Sequence, residues 1–450
     1  YKSVGTGFFI DNDGLILTCN HVIENAIKIY IIIPIDGQQK HEAEVISICP
    51  DNDLAILKIK NYKNKNFVKL ADSDNIDQQD QVTAVGYPMR SNNLKFSSGI
   101  ISGLNGILLQ TDAPINEGNS GGPLIKFNKA ENEFFVIGVN SSKVKSSIAD
   151  NIGYAVPINI FKILKDSMYN NKIVYTPELL VWFNNSNKYS LAFIESPVEG
   201  YYITNISEFS PFYNGGVRKN DILYNFDNYK IDNFGECDVK GMNDKIHLSD
   251  LIKKYKLNQS IVIGYWDSNE KKKKEIKINL NISSQIFKIK KFNFGFDKID
   301  YEIIGGFVVM ELSLNHLENI KDGDIDFNSS IKLLNYIRKE NRFKSVLLIT
   351  FIFPGSHLSS LDSIKIGSII STINNVKIYT INDFREAYLN PILIKNNNYF
   401  SMETNNFNKV IIDMKKIKEE EDILSKRFNY KISKLNNNSN FSKIKYLIKK

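Results

Sequence analysis

Short apolar stretches broken by Asn, Asp, Gly and Pro recur from Tyr1 to about Ile158. Leu15-Ile16-Leu17-Thr18-Cys19, Leu54-Ala55-Ile56-Leu57, Pro123-Leu124-Ile125-Lys126-Phe127 and Phe134-Phe135-Val136-Ile137-Gly138-Val139 are examples. Runs this short, bounded by turn formers, predict strands rather than helices. Many in series predict a mostly β domain built as two barrels. At Pro157 the period changes. Ile158, Phe161 and Leu164 fall on one helical face, which predicts a helix closing the domain.

The pattern then repeats at a larger scale. Leu179-Leu180-Val181-Trp182-Phe183 and Gly200 to Ile206 read as strands, and Ser210-Pro211 through Asp221-Ile222-Leu223 reads as a turn-rich block feeding another strand. Ser249 is placed to cap a short helix carrying Leu251, Ile252 and Tyr255. A second module runs from about Phe292 to Lys415, where Lys365 to Asn374 repeats the turn-and-strand block of Lys219 to Phe226 and Asn382 to Tyr388 supplies a capped helix. Leu312 to Lys344 reads as an insertion with a helical Ile331 to Ile337. Beyond about Asn429 the Asn- and Lys-rich tail predicts loose order.

At 450 residues, 42% hydrophobic and 12% aromatic, the chain has room for several packed domains. Cys19, Cys49 and Cys237 lie far apart, which gives neither a disulfide framework nor a metal-ligand spacing, and no cofactor motif is present. The formal charge of +7 comes from scattered lysines. Lys271 to Lys274 reads as a solvated hairpin tip rather than a phosphate-binding patch, so no nucleic-acid partner is expected. No apolar run reaches the roughly 20 residues of a membrane-spanning helix. The chain opens on Tyr1 rather than Met, so a preceding leader is expected and the compartment stays open.

The chemistry concentrates at Thr111-Asp112-Ala113-Pro114-Ile115-Asn116-Glu117-Gly118-Asn119-Ser120-Gly121-Gly122-Pro123. One serine stands among glycines that leave backbone amides uncovered. A serine hydroxyl attacks a carbonyl only when a base takes its proton and fixed donors receive the developing negative charge. Upstream, His21 follows the Leu15–Cys19 run and Asp53 precedes Leu54-Ala55-Ile56-Leu57. A carboxylate at the edge of a core needs a partner, and orienting an imidazole would supply one. Asp51 competes for that role and reads as a solvated turn residue. Gly118-x-Ser120-x-Gly122 also fits a hydrolase elbow, but the following segments read as a strand hairpin and not as a helix. Gly5-Thr6-Gly7 lacks the third glycine and helix of a dinucleotide site.

The order His21, Asp53, Ser120, together with Val4-Gly5-Thr6-Gly7-Phe8, Leu17-Thr18-Cys19-Asn20-His21-Val22, Asp53-Leu54-Ala55, Gly86-Tyr87-Pro88, Ser98-Gly99-Ile100-Ile101-Ser102 and Gly153-Tyr154-Ala155-Val156-Pro157, resembles the HtrA/Deg family of serine proteases. The resemblance implies a trypsin-like double β-barrel followed by two PDZ-like α+β domains, the second similar to the divergent one of plant-type members. Expected bounds are 1–170 for the protease, 175–285 and 290–428 for the two PDZ domains, with an insertion near 312–344 and a tail at 429–450. It implies Ser120 as nucleophile, His21 as general acid and base, Asp53 as its orienter, and backbone donors across Gly118, Asn119 and Ser120. Ile115 and Val139 are expected to line the specificity pocket. Leu180 and Val181 in the first module, and Gly305, Gly306 and Phe307 in the second, are expected to bind peptide. Partners would be unfolded polypeptides and further copies of the chain, as trimers or multiples of them. Cys19-Asn20 departs from the family's usual Asn-Ala before the histidine, and the Gly103 to Gln110 segment is short. The competing reading is a peptide-binding scaffold with a dormant site.

Overall fold

The strands Phe8–Phe9, Leu15–Cys19, Leu54–Ile59, Lys40–Cys49 and Ile29–Ile32 pair in that spatial order as a five-stranded sheet. Leu54, Ala55, Ile56 and Leu57 are all buried, as a continuous apolar run in a strand covered on both faces must be. Each such Leu or Ile side chain contributes roughly 1.5–3 kcal/mol of hydrophobic stabilisation. A second sheet of seven strands runs Pro123–Asn128, Gln81–Gly86, Lys95–Asn105, Leu108–Thr111, Gly153–Pro157, Glu133–Ser141 and Lys69–Leu70. Pro123–Asn128 pairs with Glu133–Ser141 as well, which closes this sheet on itself as a barrel. The computed structural model describes residues 3–64, 66–141, 152–318, 327–361 and 364–436.

Two compact units make up the chain, Tyr1–Ser284 and Gln285–Lys450. The first holds more than the two barrels. The helix Ile158–Asn170 buries Ile158, Ile160, Phe161, Leu164 and Met168 and leads into a mixed module. There the strands Val181–Asn184, Tyr201–Ile206, Ile222–Phe226, Ser260–Asp267 and Lys272–Asn279 lie side by side, and Val181–Asn184 is the outermost. One apolar core runs without a break from Leu17 and Leu54 through Phe161 and Leu164 to Leu248, Leu251 and Tyr265. Asn220 takes a left-handed φ of 76°. The helix after the strand Lys245–His247 is capped by the His247 side chain, which accepts the Ser249 N–H, so Ser249 is not the cap. In the hairpin that holds Lys271 to Lys274, Lys271 pairs with Glu195, Lys272 with Glu270, and Lys274 with Asp267 and Glu270.

In the second unit, Tyr301–Ile304, Phe307–Glu311, Leu347–Ile352, Ile369–Ile373, Asn397–Thr404 and Ile392–Ile394 lie in order, with the helices Ile381–Tyr388 and Met414–Phe428 packed on the sheet. Thr380 and Asp383 form a reciprocal cap at the first of these helices. Inside the insertion, Phe327–Leu334 is α-helical and Asn335–Ile337 tightens to a 3-10 turn. Loose order does not begin at Asn429. Leu435 packs on the core of this unit and the Tyr388 hydroxyl donates to Asn436, while 437–450 lies outside the described residues. No helix among the described residues is long and apolar enough to cross a membrane.

Candidate active site

His21 sits in the one-turn helix Asn20–Ile23 that ends the strand Leu15–Cys19, and Asp53 ends the 3-10 turn Pro50–Asn52 beside the adjacent strand. Strand pairing sets Cys19 against Leu54, which brings residues 32 apart in sequence into contact. Asp53 Oδ1 accepts the His21 backbone N–H at 2.9 Å, and Oδ2 lies 2.6 Å from His21 Nδ1. Ser141 Oγ donates to the same Oδ2 at 3.1 Å. Both side chains are largely shielded, with 20% and 14% of their surface exposed, so the pair is held at a low effective dielectric with one rim open. Asp53 has φ 54° and ψ 38°, a left-handed conformation costing about 1–3 kcal/mol for a side-chain-bearing residue. Its carbonyl repays part of that by accepting the Asn20 N–H at 3.0 Å.

Ser120 comes from the other barrel. The Thr6 N–H donates to Ser120 O at 2.8 Å, and Thr6 Oγ1 donates to Gly118 O at 2.6 Å, so one threonine fastens both ends of the turn. A Cβ at Gly121 would collide with Thr18 and Thr6, which shows how closely the serine turn lies against the strand leading to His21. Asn140 completes the seam. Its carbonyl accepts the Gly121 N–H at 2.8 Å and the Cys19 thiol at 3.2 Å, one from each side. The Met89 N–H holds the Glu117 carbonyl at 2.7 Å, and in a trans peptide the next N–H, that of Gly118, then points the opposite way. Among the described residues that Gly118 N–H meets no acceptor. Gly118 itself has φ 98°, and a Cβ there would strike the Tyr87 carbonyl, so glycine is required.

Cys19 Sγ, His21 and Asp53 offer three ligand atoms within 4.8 Å of one another. Asp53 Oδ2 is engaged by His21 Nδ1 and the Ser141 hydroxyl, and the Cys19 thiol donates to the Asn140 carbonyl. Burial drives the Cys19 thiol well above its ordinary range, reinforced by the nearby Asp53 carboxylate. Cys49 is likewise buried and pushed up to about 12.

The two residues expected to line the specificity pocket lie in different apolar clusters. Val139 is fully buried in the central apolar core, paired with Pro123 and Val156. Ile115 belongs to the neighbouring cluster of the second barrel and faces Gly153, where an added Cβ would stand 2.8 Å from it. The side-chain partner that the strand Glu133–Ser141 does supply is Ser141, through its bond to Asp53. In the second unit, Gly305 and Gly306, with φ 58° and 79°, form a two-residue hairpin turn between Ile304 and Phe307. They do not open a groove: Phe307–Glu311 is paired on one side by Leu347–Ile352 and on the other by Tyr301–Ile304. The Gly305 N–H, expected to receive a peptide carboxylate, donates to the chain's own Glu421 at 2.8 Å. Leu180 and Val181 lie at the outermost strand of the first unit's third sheet. Sequence reasoning passed over Thr6, Asn140 and Ser141. Thr6 sat between the two glycines of Gly5-Thr6-Gly7, and Asn140-Ser141 directly follows the Val139 singled out, but nothing in the pattern said which strand would meet the carboxylate.

Residues 5–139 match the family model of the trypsin-like peptidase domain. A probable serine protease do-like from Buchnera aphidicola subsp. Acyrthosiphon pisum is 33% identical over 247 residues, which cover 52% of this chain and 50% of that protein. The periplasmic serine endoprotease DegP of Escherichia coli K12 is 30% identical over 246 residues, covering 52% of this chain and 50% of its own length. The chain thus spans about half the length of the curated relatives it matches. Among solved structures, the HtrA-type protease AlgW with decapeptide aligns with a TM-score of 0.48 at 24% identity, over 62% of this chain and 82% of that one. Residues 5–139 contain His21, Asp53 and Ser120 in the order the motifs set out; they form a trypsin-like peptidase domain, and over about half its length the chain is similar to DegP-type serine proteases.

Proposed function

We propose that the chain is an ATP-independent serine endopeptidase that cleaves unfolded or damaged polypeptides as a quality-control protease. The observation that carries this reading is the Asp53 carboxylate, which fixes the His21 ring at Nδ1 and its backbone N–H together, beside a serine turn locked by Thr6. With Nδ1 committed to Asp53, Nε2 is the nitrogen left to take the Ser120 proton. Ser120 Oγ attacks the scissile carbonyl, and the Gly118 and Ser120 amides, with Asn119 shaping the turn between them, receive the oxyanion. The proton on His21 then passes to the leaving amine. Water activated by the same imidazole hydrolyses the acyl-enzyme and returns Ser120. Ile115 over Gly153 favours a small aliphatic side chain at the cleaved position. The strand Val181–Asn184, entered from Leu180, is the outermost of its sheet, the place where an extended chain segment could join. Assembly as trimers or multiples completes the proposal.

Digestion of casein by the wild type and by Ser120→Ala tests it, alongside labelling with an active-site phosphonate. Ser120-dependent cleavage and labelling are expected. Unlabelled Ser120 and no Ser120-dependent cleavage in any assembly state would leave the peptide-binding scaffold as the better account.

A further inference from the structure

Three consecutive residues at the end of the strand Lys40–Cys49 and its following turn are fastened to three different places. Asp53 holds His21. Asp51 accepts both the N–H of Thr176 at 2.8 Å and its hydroxyl at 3.1 Å, where the chain leaves the barrels for the next module. Asn52 is buried, and its Nδ2 donates to the carbonyl of Lys253 at 3.2 Å, in the helical turn of that module. The acid is therefore presented by a short loop, itself in a left-handed conformation, whose two preceding side chains are anchored outside the barrel that carries it.

The segment from Gly241 to Lys254 reaches the serine-bearing barrel as well. Asp244 Oδ2 accepts the Leu104 N–H at 2.7 Å, and Gly241 O accepts the Gln78 N–H at 3.0 Å. Gly103 and Gly106 make the approach possible, because a Cβ on the first would collide with Asp244 and on the second would stand 2.8 Å from Asp250. Lys254 Nζ lies 3.3 Å from Asp74 Oδ1 on the connection between the barrels. Met242 packs on the core of the second barrel, while Leu248, Leu251 and Ile252 join the core shared with the first.

We propose that residues 241–254 form a strap across the seam between the barrels, with Asn52 as a positioning residue through which it sets the Asp53 carboxylate against His21. The inference rests on the proteolytic reading for its kinetic consequence, though not for its geometric one. A triad split between two barrels depends on their mutual placement, and errors of about 1 Å in such sites can cost 10²-fold in rate. The strap grips both halves within fourteen residues of chain. The short Gly103–Gln110 hairpin gives it its foothold.

The test uses the full chain, a p-nitroanilide peptide with valine at the cleaved position, and the low-field proton resonance of the His21 Nδ1–Asp53 hydrogen bond. Asn52→Ala and Asp244→Ala are each expected to lower kcat about 10- to 100-fold with KM changed by less than about threefold. Both are expected to shift or broaden the low-field proton, and Asp244→Asn, which keeps the acceptor for Leu104, restores both readouts. Unchanged kcat and an unchanged proton signal in both alanine variants overturn the strap. If the wild type and Ser120→Ala prove equally inactive, the proteolytic reading fails, yet the proton signal still decides whether the strap orders the Asp53–His21 pair.

Discussion

The two modules that follow the barrels use the same block of turn and strand, yet they treat their groove strands in opposite ways. Val181–Asn184 is the outermost strand of its sheet. Phe307–Glu311, its counterpart, is covered by Tyr301–Ile304, which runs antiparallel to it through the Gly305-Gly306 turn. That covering strand is clamped from the side. Arg385 on the helix Ile381–Tyr388 pairs with Asp300 through Nη2 and with Glu302 through Nε, each at 2.6 Å, and Ser433 bonds the other Glu302 oxygen at 2.7 Å. The lesson is physical: an edge strand is an open row of donors and acceptors, and a few residues of preceding chain suffice to satisfy it.

The largest effect should appear in peptide binding. An extended peptide ending in an apolar residue with a free carboxylate is expected to lose at least about tenfold in affinity for Val181→Glu, through like-charge repulsion at the strand edge. The same change at Val308, whose strand is already paired on both sides, is expected to leave affinity unchanged. Fluorescence anisotropy with the full chain measures both, and equal losses would break the comparison.

A smaller effect is expected at the clamp. Arg385→Ala removes a two-carboxylate grip whose Asp300 arm is half exposed, so the loss should be modest, about 1 kcal/mol after solvent screening. The hydrogen bond to Arg385 holds the Asp300 carboxyl below its ordinary range. Its folded pKa is thus lower than the unfolded one, and the stabilisation present at neutral pH fades as the pH falls below about 4. Hydrogen exchange at Tyr301–Ile304 should quicken in the variant at pH 7, and the wild type should approach it in acid. Exchange that is indifferent to Arg385 would mean the strand is held by its ladder alone.

The smallest effect is expected at Glu421. Burial raises its carboxyl above the ordinary range despite the Tyr430 hydroxyl and the Gly305 N–H, which both favour the ionised form. A raised acid binds more protons folded than unfolded, so stability falls as the pH climbs from the ordinary carboxylate range through the folded pKa. Glu421→Gln keeps an acceptor and removes the buried charge. Denaturant unfolding should show it at or slightly above wild-type stability at pH 7, with that slope flattened; marked destabilisation would show that the ionised carboxylate is what closes the turn.

Much of the candidate site was legible because each candidate residue stands in a distinctive local context. His21 after an apolar strand, Asp53 before one, and Ser120 among glycines could each be read from a few neighbours. The role of Val139 was not legible in the same way: residues on the strand Glu133–Ser141 point to different cores, and sequence distance from Ser120 does not say which way a side chain faces. Gly305-Gly306 was misread similarly, since paired glycines serve equally a peptide-binding turn and a hairpin, and only the partner of the next strand distinguishes them.

By itself the sequence determined the strand-rich first half, the closing helix at Ile158, the repeated turn-and-strand block and the candidate residues His21, Asp53 and Ser120, because periodicity, turn chemistry and local context are properties of neighbouring residues. Only the tertiary structure decided that Thr6 and Asn140 hold the serine turn, that Ser141 shares the Asp53 carboxylate, and that Asn52 meets Lys253 some 201 residues away. Those bonds join segments far apart in the chain, many of them turns. Their partners are set by register and packing, which no local pattern encodes.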